Sequence, residues 1–117
     1  MLDSTGIRTL ALNVLNDHKA VDISDLDVTQ LTSITDRVII CTATSTRHGA
    51  TMADKLMQAM KAEGVPLLGV EGYPSSDWIL IDLADIVVHI MSPEAREFYD
   101  LEKLWAMTEE VRKRHEN

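Results

Sequence analysis

The sequence predicts a single α/β domain, a mixed β-sheet with flanking helices. Three observations predict it. Apolar residues recur at helical spacing in three separate stretches, near residues 4–19, 45–63 and 93–105. Between residues 37 and 70 the pattern runs strand, helix, strand, a unit whose strands can lie parallel. Residues 78–91 hold two strands with almost no connection between them, which makes that pair antiparallel. A chain of 117 residues is close to the commonest domain size and can bury one core without staples. The expected layering is three-layer or open two-layer.

In chain order, Ser4 can cap a first helix whose stripe is Ile7, Leu10, Ala11, Val14 and Leu15, ending near Lys19. Residues 23–28 suit a strand with interspersed acids. Residues 37–43 (RVIICTA) are β-branched and nearly unbroken, so they predict an interior strand buried on both faces. Ser45 or Thr46 opens a second helix with Ala53, Leu56, Met57 and Met60 on one side. Gly64 closes it, and Pro66 prevents its continuation. Residues 67–71 form a short strand and 72–77 (GYPSSD) a turn-rich loop. Ser92-Pro93-Glu94 combines a capping serine, a first-position proline and an acid near the positive helix end. The helix it opens carries Phe98, Leu101, Leu104 and Trp105, before an alternately charged tail.

The strand pair at 78–91 is the most informative stretch. Alternation puts Ile79, Ile81, Leu83, Ile86, Val88 and Ile90 in one aliphatic set. The other set is Trp78, Leu80, Asp82, Asp85, Val87, His89 and Met91, which mixes large apolar groups with acids. The first set suits a core and the second a partner, so a docking surface is the leading expectation. A hairpin centred on Leu83-Ala84 would pair Leu80 with Val87, Trp78 with His89, and Asp82 with Asp85. Facing acids repel, so a cation from another molecule would relieve them. A patch of Trp78, Leu80 and Met91 would also suit pairing of two copies of the chain, a possible homodimer.

Nineteen acidic against eleven basic residues give a net charge of −8. That sign opposes direct nucleic-acid binding and favours encounter with basic proteins, although it also serves solubility alone. No apolar run approaches the roughly 20 residues of a membrane-spanning helix. Residues 1–5 lack the basic and apolar regions of a signal peptide, and the lone Cys41 fits a reducing compartment. A cytoplasmic protein is expected.

Candidate chemistry is sparse. Asp25 and Asp27 lie on one face of a strand, as in metal-dependent phosphoryl transfer, but no phosphate-cradling glycine loop accompanies them. Ser45, Arg47 and His48 sit where a strand meets a helix and could hold an anion, but they are better read as a capping serine and two exposed first-turn residues. His89 has no second ligand at metal spacing and is better read as packing on Trp78 or making one hydrogen bond. Cys41 reads as inert core. There is no P-loop, dinucleotide fingerprint, nucleophile elbow or zinc set, so no metal, cofactor or catalytic residue is assigned. The alternative to a binding protein is a metal-dependent nucleotidyltransferase or phosphoryl-transfer enzyme using Asp25, Asp27, Ser45 and Arg47.

Residues 36–49 (DRVIICTATSTRHG), 69–72 (GVEG), 77–91 (DWILIDLADIVVHIM) and 99–105 (YDLEKLW) resemble the ribosomal silencing factor, or Iojap-like, family. The resemblance spans about residues 5–105, with the motifs in the family's order. It implies a nucleotidyltransferase-like topology without that activity, in a domain over residues 1–106 followed by a charged extension or tail at 107–117. It further implies binding to the large ribosomal subunit through the basic protein fourteen on its intersubunit face. That binding would block joining of the small subunit and repress translation when nutrients are scarce. Carried onto this chain, Trp78, Leu80, Asp82 and Asp85 match the motif expected to touch that protein, and Tyr99 and Glu71 of the 69–72 turn are secondary carry-overs.

Overall fold

The structure, a computed structural model, describes residues 2–74 and 76–104. Its elements are α1 (Ser4–Asp17), β1 (Val21–Asp27), β2 (Arg37–Thr42), α2 (Thr46–Ala62), β3 (Gly69–Glu71), β4 (Trp78–Asp82), β5 (Ile86–Met91) and α3 (Pro93–Tyr99). The predicted order holds throughout. Asp3 rather than Ser4 caps α1, its carboxylate accepting from the Gly6 amide at 2.9 Å. Ser45 caps α2, and Gly64 at φ +74° follows its end. Ser92 caps α3 with Pro93 in the first turn.

The five strands form one sheet in the order β1-β2-β5-β4-β3. Among the described residues only β2 and β5 pair in parallel; the other three pairings are antiparallel. β2 and β3 do point the same way, as a strand-helix-strand unit allows, but β5 and β4 lie between them. β2 is an interior strand with five of its six residues buried, which accounts for its unbroken apolar run.

The β4–β5 register differs from the expected one by two residues. Leu80 faces His89, Trp78 faces Met91, and Asp82 faces Val87. The turn is displaced because the Asp82 carboxylate accepts from the Ala84 amide at 2.9 Å and Ala84 takes φ +70°. Asp82 and Asp85 therefore do not oppose each other. A two-residue shift preserves side-chain parity, so both faces keep their expected members.

One face joins Ile39, Cys41, Ile79, Ile81, Val88 and Ile90 to Ile7, Ala11 and Leu15 of α1 and to Met52, Leu56 and Met60 of α2. The opposite face holds a smaller cluster, Val28, Val38, Ile40 and Met91 with Ala95 of α3. Two long helices thus cover one face, and a seven-residue helix covers part of the other. That is the open form of the expected layering. Trp105 and the charged tail lie outside the described residues.

Candidate functional site

On the partly covered face, β4 and α3 border a groove of about 650 Å³. Trp78 and Leu80 project from β4, Glu71 from the edge strand β3, and Ala95, Phe98 and Tyr99 from α3. Asp77, Ser76 and Glu94 complete the lining. The Tyr99 and Trp78 rings lie 4.6 Å apart between centroids, and Phe98 meets Tyr99 edge-on at 5.0 Å. These are ordinary distances for paired aromatics. Phe98 is 81% exposed and Tyr99 52% exposed, so the aromatic lip faces solvent.

Trp78 is held from beneath. Its indole N–H donates to Nδ1 of His89 at 2.9 Å, which requires the proton of the neutral imidazole to sit on Nε2. Burial pushes His89 down to about 4, so the ring is neutral at ordinary pH and remains an acceptor. From the loop side, a side-chain Cβ on Gly72 would stand 2.2 Å from the Trp78 carbonyl oxygen. Gly72, at φ +80°, is thus required both for its backbone angle and for its approach to β4.

The structure brings Trp78, Leu80, Glu71 and Tyr99 together at the groove. It leaves Asp82 and Asp85 elsewhere. Asp82 is four residues along β4, about 13 Å from Trp78 at strand spacing, and its carboxylate closes the turn. Asp85 is exposed at the hairpin tip, where its carbonyl accepts from the Asp36 and Arg37 amides at 2.9 and 3.1 Å. Met91 is fully buried and is no part of an exposed patch, which corrects that expectation.

Of the residues considered for phosphoryl transfer, Asp25, Asp27 and Ser45 are engaged in structural contacts. Asp25 pairs with Arg8 at 2.6 Å and with Arg37 at 3.3 Å. Asp27 accepts from both the amide and hydroxyl of Thr29, which hold its carboxyl below the usual range. His48 accepts from the Thr44 amide at Nδ1 and bonds the His18 carbonyl through Nε2, joining the start of α2 to the end of α1. Arg47 is exposed in the first turn of α2. The serine-lined recess between the starts of α2 and α3 has about 20 Å³ of free space, room for one water and far too little for a nucleotide. Cys41 is buried and its thiol is pushed up to about 12, which keeps it unreactive. Among the described residues, no group of three or more His, Cys, Asp or Glu is placed to hold a metal. No described helix is long and apolar enough to cross a membrane.

Comparison with known proteins agrees with the observed fold. The family model described as "Ribosomal silencing factor during starvation" matches residues 3–117. The chain belongs to the ribosomal silencing factor family. Ribosomal silencing factors from Haemophilus influenzae and Chromobacterium violaceum are 47% and 41% identical to it. The first alignment covers 81% of this chain and 93% of the relative, and the second 85% and 81%. A crystal structure of a Chromobacterium violaceum protein superposes with a TM-score of 0.86 at 39% identity, covering 90% of this chain and 88% of the other. One from Bacillus halodurans gives 0.79 at 33%, covering 86% and 94%. A mouse relative named for mitochondrial assembly of the ribosomal large subunit is 35% identical, and the alignment covers 44% of its length.

Within this silencing-factor domain, sequence reasoning missed Phe98, Glu94, Asp77 and Ser76 as groove residues. Phe98 fitted an apolar helical stripe with Leu101 and Leu104. The stripe assumes one continuous helix, but Asp100 takes φ +46° and ends α3. Helical turns resume at residues 101–104 with a different phase, so Leu101 packs on the core while Phe98 faces out. The available signal was Asp100 itself, a residue type that tolerates the left-handed conformation.

Proposed function

We propose that the chain silences translation by binding the large ribosomal subunit through the β4–α3 face and sterically excluding the small subunit. The observation that carries this reading is the solvent-facing groove of Trp78, Leu80 and Tyr99 in a member of the silencing-factor family. Trp78 is the aromatic anchor, pre-ordered by His89, and Leu80 and Tyr99 extend the apolar contact. Glu71 sits at the groove, while Asp82 at the end of β4 and Asp85 in the β4–β5 turn are outlying acidic contacts. The partner on the subunit is the basic protein fourteen of the intersubunit face, whose sign complements a chain of net charge −8. The same charge disfavours direct contact with ribosomal RNA.

Steric exclusion needs no catalysis, and we assign none. Asp25 and Asp27 are held by arginines and Thr29, and the serine-lined recess has no room for a nucleotide. The chain acts where ribosomes are, in the cytoplasm. Pairing of two copies would use Trp78 and Leu80 without the buried Met91 and would compete with the subunit for the same face.

Cosedimentation with isolated large subunits tests the proposal. Wild-type protein is expected in the subunit pellet. Folded Trp78→Ala should bind more weakly by about 2 kcal/mol or more, the scale of an aromatic hot spot. Equal pelleting of the two proteins would remove Trp78 from the interface.

A further inference from the structure

We propose that Arg96, paired with Glu102, is the positioning residue of the docking face: it sets Tyr99 against Trp78 without entering the groove. This rests on the reading of that face given above.

α3 is seven residues long and buries a single residue, Ala95. A helix that short has little stability of its own. Something else must fix its place on the sheet, because it supplies Phe98 and Tyr99 to the groove. Arg96, one turn before Tyr99 on the helix and outside the groove lining, does so. Its Nε donates to Glu102 Oε1 at 3.0 Å and its Nη2 to Glu102 Oε2 at 2.9 Å, a two-pronged pair. Nη2 also donates to Ser24 Oγ at 3.0 Å, and Nη1 donates to Thr42 Oγ1 at 2.9 Å and to the Asp22 carbonyl. Those contacts match the five N–H donors of a guanidinium.

The acceptors come from three parts of the chain. Thr42 ends β2. Ser24 and Asp22 belong to β1, where a register irregularity between Val21 and Ser24 and φ +49° at Asp22 accompany the carbonyl contact. Glu102 returns to the network because Asp100 breaks the helix at φ +46°. Ser24 closes the circuit by donating to Glu102 at 2.8 Å. The Arg96 side chain is only 14% exposed, so its end of these bonds is largely shielded from water, while Glu102 is 35% exposed. The Glu102 carboxyl is held below its ordinary range by its bond from Arg96. A cluster this closed locks the helix in one position, and with it the 4.6 Å contact between Tyr99 and Trp78.

The test is a double-mutant cycle between Arg96→Met and Tyr99→Ala, read as binding to isolated large subunits. Arg96→Met keeps a long stem and removes all five donors. It should weaken binding about tenfold, the scale of a lost aromatic contact, and cause no further loss in Tyr99→Ala protein. A second readout needs no ribosome. Trp105→Phe leaves Trp78 as the only tryptophan, and Arg96→Met should then shift its emission to the red, toward the value for Tyr99→Ala. Unchanged emission would overturn the proposal, as would an equal binding loss in both backgrounds. Should Arg96→Met fail to fold, Glu102→Gln is measured instead. It should shift emission and binding in the same directions by a smaller amount, and an emission identical to wild type counts against the idea. If Tyr99→Ala binds normally, the docking-face reading fails, while Trp78 emission still decides whether Arg96 positions Tyr99.

Discussion

Acid should loosen this fold through one histidine. Burial holds His89 down at about 4 against an ordinary value of 6.5. Between those values the unfolded chain takes up a proton that the folded chain refuses. The stabilisation is therefore fully present above pH 6.5 and is lost as pH falls to about 4. A difference of about 2.5 in pKa corresponds to about 3 kcal/mol at 1.36 kcal/mol per unit. The chemistry at the ring agrees, since protonating Nδ1 would break the bond it accepts from Trp78. The assay is urea unfolding of wild type and His89→Leu at a series of pH values from 7.5 to 4. Carboxylates such as Asp27 and Glu102 titrate in both proteins and cancel in the difference. Wild type should lose up to about 3 kcal/mol more than the variant across the window, or roughly 1–3 M in urea midpoint at typical slopes. A difference in stability between the two proteins that stays constant with pH would refute the reasoning.

Other outcomes follow from named contacts. Gly72→Ala should destabilise by about 1–3 kcal/mol in thermal or urea unfolding, because the new Cβ meets the Trp78 carbonyl at a backbone angle that suits glycine. Asp82→Ala should cost about 1 kcal/mol through loss of its bond from the Ala84 amide, whereas Asp85→Ala should leave the urea midpoint unchanged. Titration with millimolar nucleotide and Mg²⁺ should give no binding heat, since Asp25 is already paired with two arginines; saturable binding would revive the phosphoryl-transfer alternative.

Much of the architecture was legible because it rests on local rules. The faces of β4 and β5 follow from uninterrupted alternation, both ends of α2 from Ser45 and Gly64, and the start of α3 from Ser92 and Pro93. The register was not legible, because Leu83-Ala84 lacks an obvious turn signal and the Asp82 side chain moves the turn centre by one residue. The parallel pairing of β2 with β5 is nonlocal, set by how two faces of one sheet bury against α1 and α2. At the site, Trp78, Leu80, Glu71 and Tyr99 line one groove. Asp82 and Asp85 were expected beside them, but the strand carries Asp82 away from the groove and the turn consumes its carboxylate. Arg96 gave no sequence signal, because its partners lie at Asp22, Ser24, Thr42 and Glu102.

Light scattering of subunit joining tests the central claim most directly. Large subunits preincubated with the wild-type protein are mixed with small subunits, in parallel with subunits preincubated with folded Trp78→Ala. The account predicts that wild type suppresses the joining signal and that Trp78→Ala, at the same concentration, leaves most of it intact. Normal joining on large subunits that carry the bound wild-type protein would contradict it, and so would equal suppression by both proteins.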